Sequence, residues 1–145
     1  MIRQMSINDY TAVYDLWIHT PGMGLNNIDD TKEGIERYLK RNPTTCFVAE
    51  ENGKIVGVIM SGHDGRRGFI HHTTVHQEYR KQGLGKQLVD AAMEALDREG
   101  IQKVALVAFS RNELGNAFWE KVGFTVREDL VYRNKNIHDF VRMDT

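Results

Sequence analysis

The spacing of hydrophobic residues changes along this chain, and each change marks an element. Ala12, Val13, Leu16 and Trp17 recur at helical spacing behind Ser6 and Asp9, a helix-start pair, so a first helix is predicted to run to about His19. "TPGMGLNN" (Thr20 to Asn27) breaks it. Asp29, Asp30 and Thr31 then offer caps, with Glu33 three residues after Asp30. Ile35, Tyr38 and Leu39 form the inward stripe of a second helix that ends before Pro43.

From there the period falls to two. β-Branched and aromatic residues predict strands at about Thr45–Glu50, Ile55–His63 and Phe69–Val75. Asn52-Gly53 turns the first pair as a hairpin, and "DGRRG" (Asp64 to Gly68) turns the second. A long helix from Gly83 to Glu99, a strand over Val104–Phe109 and a shorter helix at about Glu113–Val122 follow. Two last strands, Phe124–Val131 and His138–Met143, complete the pattern. With one strand ahead of the first helix, the order predicts an α/β fold: a mixed, mostly antiparallel central sheet of about seven strands flanked by about four helices.

A length of 145 residues fits one compact domain, 1–145. Apolar residues at 41%, charged residues at 27% and a formal net charge of -1 give no global attraction to nucleic acid or membrane, so basic chemistry has to be local. Cys46 is the only cysteine, which excludes an internal disulfide or a CxxC pair and fits a cytoplasmic protein. "MIRQMSINDY" has no apolar signal core, and no apolar run approaches the roughly 18–20 residues of a membrane span. His71, His72 and His76 sit on a strand and its exit without an HExxH or Cys/His cluster, so no metal is expected. The basic residues gather in one turn rather than a stripe, which argues against nucleic acid.

That turn, "VHQEYRKQGLGKQLVDAAM" (Val75 to Met93), joins a strand to the long helix. A helix start presents unpaired N–H groups and the positive end of the macrodipole. Gly83 and Gly85 let an anion approach that backbone, and Arg80, Lys81 and Lys86 ring it with charge, so a phosphorylated ligand is predicted; a plain solvated helix start is the alternative. The turn is neither GxxxxGK[ST] nor GxGxxG, which removes the nucleoside-triphosphatase and dinucleotide readings.

Arg80-Lys81-Gln82-Gly83-Leu84-Gly85 resembles the [QR]xxGxG motif of the GCN5-related N-acetyltransferases, where this turn holds the pyrophosphate of acetyl-CoA. A second block agrees: Asn112, Gly115, Phe118 and Trp119, then Gly123-Phe124, match the Nxx(small) helix start, aromatic and "GF" of that family. The element order matches it from Ile2 to about Met143, with a likeness to small bacterial acetyltransferases near the ribosomal-protein alanine acetyltransferases.

The resemblance implies an enzyme that moves the acetyl group of acetyl-CoA to a primary amine, of a small molecule or a peptide N-terminus, by direct attack. A catalytically weak acyl-CoA-binding module is the alternative. It places Val75 at the pantetheine-pairing position and the Thr73 N–H near the thioester oxygen. Gln82 and Leu84 fall within the pyrophosphate turn, Asn112 beside the pantetheine arm and Phe118 packed next to it. It also implies a homodimer through the C-terminal strands. Direct attack needs a neutral amine and hence a base. The first candidate is His71, which a period of two puts on one face with Thr73 and Val75, His72 facing the other way; Glu50 and Asp64 are weaker alternatives. Trp119 stands where most members of the family carry a tyrosine that protonates the leaving sulfur, and an indole N–H is no acid at neutral pH; Tyr132 is a substitute candidate. On the acceptor side, Met23 and Leu25 form a candidate apolar lid, and Asp29 or Asp30 a candidate ammonium attractor.

Overall fold

The computed structural model describes residues 1–143. Nine elements follow in order: β1 (Ile2–Gln4), α1 (Tyr10–Ile18), α2 (Lys32–Arg41), β2 (Phe47–Glu51), β3 (Lys54–His63), β4 (Gly68–Val75), α3 (Leu84–Arg98), β5 (Val104–Leu106) and α4 (Glu113–Lys121). Single 3-10 turns precede α1 at Ile7–Asp9 and follow β4 at Gln77–Tyr79. The strands lie side by side in chain order; the first four are antiparallel, and α3 carries the chain across to a parallel β4–β5 pair.

Local chemistry accounts for most boundaries. Thr31 caps α2 by accepting the Gly34 N–H at 3.1 Å, and the helix stops at Arg41, ahead of Pro43. Asn52 and Gly53 both take positive φ, 51° and 77°, the pair of angles a two-residue hairpin turn between right-twisted strands requires. Asp64 closes the next hairpin by accepting the N–H groups of Arg66 and Arg67 at 2.8 and 2.7 Å.

Strand alternation divides the apolar residues into two layers. Cys46, Val48, Val58 and Met60 face α1 and α2, packing with Val13, Leu16, Trp17, Leu25, Ile35 and Leu39. Phe47, Ala49, Ile59 and Ile70 face α3 and its Leu84, Leu88, Val89, Ala92 and Ala95. At the far edge, Arg3 holds Asp9 with two hydrogen bonds of 2.8 and 2.9 Å and Glu50 at 3.0 Å, tying β1 to the start of α1.

The described residues form five strands rather than seven. Phe124–Val131 and His138–Met143 do not become the expected last pair. Outside β5 an isolated hairpin is marginal in water, and Val126, Leu130 and Val131 stay exposed. The end of the chain pairs elsewhere: Arg142 bridges Asn26, the Asn27 N–H donates to Val141 O at 3.0 Å, and the Met143 N–H to Leu25 O at 2.9 Å. Leu25 is thereby a fully buried core residue and not a lid, while Met23 packs at the rim of the same core.

Leu88 is fully buried in the α3 layer, so Leu88→Ala should lower unfolding free energy by about 2–5 kcal/mol through lost apolar contact and a residual cavity. Urea unfolding followed by circular dichroism measures it.

Candidate active site

The parallel ladder of β4 and β5 is three pairs long, Gly68 to Val104, Phe69 to Ala105 and Ile70 to Leu106. Beyond Ile70 the two strands part, and residues 71–75 of β4 have no strand partner on the β5 side. On the β3 side the register shifts at the same place: Met60 faces His71 and Val58 faces Thr74, so His72 and Thr73 together oppose Ile59. This is a β-bulge, and it holds His72 at a φ of 42°, a left-handed conformation that costs on the order of 1–3 kcal/mol.

The bulge overturns the expected alternation. His71 and His72 both contact the α1/α2 layer, whereas Val75 packs in the α3 layer; His71, Thr73 and Val75 do not form one face, and His72 does not point away from it. One extra residue inverts every later side chain, which a period-two count along the sequence does not detect.

His71 lies among Phe69 (4.7 Å between ring centroids), Tyr38 (5.5 Å) and His72 (6.4 Å). The residue as a whole is exposed, but desolvation of the ring among these neighbours, and then the His72 imidazole, lower its pKa to about 4. His72 has a different setting. Its ring stands edge-on to Trp17 at 5.1 Å, its carbonyl accepts the Trp17 indole N–H at 3.3 Å, and its Nε2 lies 2.8 Å from Asp30 Oδ1. Asp30 is 3% exposed and is not the α2 cap expected of it. Its Oδ2 accepts the Asn26 N–H at 2.8 Å, and its carbonyl accepts the Tyr10 hydroxyl at 2.8 Å. Sequence inspection missed this pairing because 42 residues separate the two partners.

The glycine turn closes the far end of β4. Gly83 takes φ 81° at the start of α3, an αL conformation that disfavours a side chain. The first helical hydrogen bond runs from the Gln87 N–H to Gly83 O, so Leu84, Gly85 and Lys86 point N–H groups at no acceptor among the described residues. A Cβ on Gly85 would come within 3.1 Å of the Phe118 ring and 3.9 Å of Val75, so three of the expected binding residues converge. Asn112 caps α4 by accepting the Gly115 N–H at 2.9 Å, and a Cβ at residue 115 would overlap its amide. The motif's asparagine and small residue are therefore one helix-capping device. Arg80 donates from Nε to Val75 O at 3.0 Å, occupying the carbonyl of the residue expected to pair with pantetheine, and borders a cavity of about 610 Å³ with a mixed lining that includes Asp15, Leu16, Thr20, Lys54, Ile55 and His76. Lys86 is drawn to Asp90 at 2.7 Å, and Gln82 and Lys81 remain in the exposed turn.

Other candidates have structural partners. Glu50 pairs with Arg3, Asp64 closes the β3–β4 hairpin, and Asp29 accepts the Asn26 amide. Trp119 packs between Phe118 and Phe124 at centroid distances of 5.1 and 5.4 Å. Tyr132 is 65% exposed, and its hydroxyl meets the Asn134 amide. Buried Thr73 Oγ1 has no hydrogen-bond partner among the described residues. An orphaned polar atom where two strands part, free N–H groups on a glycine turn and a cradle that a Cβ would fill suit a long polar ligand ending in phosphate, which fits acetyl-CoA.

Comparison with known proteins agrees. The sequence model of the Acetyltransferase (GNAT) family matches residues 10–124. An acetyltransferase of Yersinia pestis (strain Pestoides F) is 30% identical over 138 residues, 95% of this chain and 96% of its own length. One from Pectobacterium atrosepticum is also 30% identical, with the same coverage. Among solved structures, Ard1 from Thermoplasma volcanium superimposes with a TM-score of 0.78 at 23% identity, over 88% of this chain and 83% of that one. An aminoglycoside acetyltransferase from an uncultured soil metagenomic sample does so with 0.72 at 20% identity, over 95% and 96%.

Because the folded-state pKa of His71 lies below the ordinary histidine value of 6.5, the unfolded chain takes up the proton first as pH falls. The stability this neutral ring retains above about pH 6.5 is therefore lost on the way down to about 4. His71→Gln should show a smaller acid-side drop in urea midpoint than the unaltered protein, and NMR of the His71 ring should show no titration between pH 7.5 and 5.5.

Proposed function

The chain belongs to the acetyltransferase (GNAT) family, and on that premise we propose that it acetylates a primary amine, of a small molecule or a peptide N-terminus, by direct attack on acetyl-CoA. It is an acetyl-CoA-dependent N-acetyltransferase, with acetyl-CoA as co-substrate. The observation that carries the reading of the site is the opening of β4 from β5 beyond Ile70, ending on the free N–H groups of the glycine turn.

In this proposal Gly83, Leu84, Gly85 and Lys86 present backbone donors to the pyrophosphate, with Arg80, Lys81 and Gln82 around it. Val75 and Phe118 flank the pantetheine arm, Asn112 holds α4 against it, and Thr73 offers its N–H and unpaired Oγ1 near the thioester. When bound, acetyl-CoA supplies an activated acyl group. The proposal leaves His71 as a wall of the acceptor side: with its pKa at about 4 it takes a proton from an alkylammonium only weakly. Neither Trp119, boxed between two phenylalanines, nor exposed Tyr132 stands ready to protonate the leaving sulfur, so that proton is assigned to solvent. A thiol pKa of about 8.5 makes unassisted departure feasible.

The acceptor enters, in the proposal, between the α1–α2 loop and the bulge. Aminoglycoside acetyltransferases among the structural neighbours support an amine acceptor without defining this one. No helix among the described residues is long and apolar enough to cross a membrane. The proposal includes a cytoplasmic homodimer. Support for the dimer comes from the outer edge of β5, which carries no strand, and from the exposed Val126, Leu130, Val131 and Ile137.

Calorimetric titration should show tight binding of acetyl-CoA, weaker binding of dephospho-CoA and weaker still of ATP. Gly85→Asp should weaken acetyl-CoA binding at least tenfold, because its side chain meets Phe118 and its charge faces the phosphates, while the urea midpoint stays close to that of the unaltered protein. Equal affinity in the variant would remove the phosphate assignment. CoA-thiol release with primary amines tests the transfer itself.

A further inference from the structure

The mechanism above leaves a buried carboxylate and an imidazole unused. We infer that His72 is the proton acceptor for the incoming amine and that Asp30 is its positioning residue, an inference that rests on the acetyl-transfer reading of the same site.

The geometry carries it. Asp30 is 3% exposed and both its oxygens are engaged, Oδ1 with His72 Nε2 and Oδ2 with the Asn26 N–H, each at 2.8 Å. A carboxylate only accepts, so Nε2 carries the hydrogen, and in the neutral ring Nδ1 carries the lone pair. No described residue bonds Nδ1, and the His72 side chain is 19% exposed, so the basic nitrogen is unclaimed and within reach of solvent. The bulge places this ring two residues past Ile70, where β4 leaves β5, and next to Thr73. Trp17 fixes the residue twice, through its indole N–H on the His72 carbonyl and its ring edge on the imidazole. Charged and titratable neighbours are Asp30 from the loop before α2, His71 from β4 and, through the Asp30 carbonyl, Tyr10 from α1.

As the amine nitrogen forms its bond to the acetyl carbon and the carbon–sulfur bond breaks, sulfur keeps the bonding pair and leaves as thiolate. One amine proton passes to His72 Nδ1. The resulting imidazolium faces the Asp30 carboxylate and returns its proton to solvent.

Asp30→Asn discriminates this role from simple bracing. Asparagine has one oxygen for two donors. If the Asn26 backbone N–H keeps it, the Asn NH2 faces His72 Nε2, which must become the acceptor, and the hydrogen moves to Nδ1; the same exchange on a catalytic triad leaves geometry intact and the tautomer wrong. The expected result in nitrogen-15 NMR of the imidazoles is an Nε2–H tautomer for His72 in the unaltered protein and an Nδ1–H tautomer in Asp30→Asn. Acetyl-CoA affinity by calorimetry should stay within twofold. With whichever of a polyamine, an amino sugar and an alanyl tripeptide the unaltered protein acetylates, kcat should fall at least a hundredfold in Asp30→Asn and in His72→Gln. His72→Gly should recover activity with added imidazole, which a merely structural role would not produce.

An Nδ1–H tautomer in the unaltered protein overturns the inference. So does a flipped tautomer with unchanged kcat, or a fall in kcat that follows a matching loss of acetyl-CoA affinity. Failure of the unaltered protein to bind acetyl-CoA, or to acetylate any of the three amines, would instead count against the functional reading beneath it.

Discussion

The early separation of β4 from β5 is the constraint on which the rest of this structure depends. A parallel pair normally shares its backbone groups along its length, but here only three residue pairs do so. Past Ile70 the strand keeps its β3 partner on one side and gains an open edge on the other. The bulge belongs to the same event: inserting one residue bends the strand, exposes its edge and sets His72 at positive φ. That local strain is held by tertiary contacts, the Trp17 indole and the Asp30 carboxylate, rather than by any preference of the residue itself.

Around that opening, side-chain polarity is distributed unevenly. On the α1/α2 side a buried carboxylate, two imidazoles and two aromatic rings meet; on the α3 side Val75, Phe118 and a glycine make an apolar cradle that ends in unpaired N–H groups. The first arrangement suits proton handling and the second suits a long ligand ending in phosphate. The loop from Thr20 to Thr31 is held at two points on the α1/α2 side. Its Asp30 end is attached to the bulge, and its Leu25–Asn27 stretch is attached to the last residues of the described chain.

Elements with local signals were legible from sequence. Thr31 ahead of α2, Asn52-Gly53 between β2 and β3, and the glycine turn before α3 all act through near neighbours, and all fell within a residue or two of expectation. The Asn112–Gly115 pair was visible as a motif, although its first physical role is to cap α4. The last two strands failed for the opposite reason. Their alternation is genuine, but a strand exists only if an edge accepts it, and Met143 pairs with Leu25 instead. His71, Thr73 and Val75 were expected on one face because counting by twos cannot register an inserted residue.

By itself, then, the amino-acid sequence determined the family, the order of helices and antiparallel strands, and the glycine turn that opens α3, because each rests on periodicity, caps and glycines within one or two turns of chain. Tertiary structure alone decided which histidine meets a carboxylate, where β4 parts from β5 and what becomes of the C-terminal segment. Those outcomes join residues from 36 to more than 100 positions apart, and the energy that settles them lies in burial and pairing that no local pattern encodes.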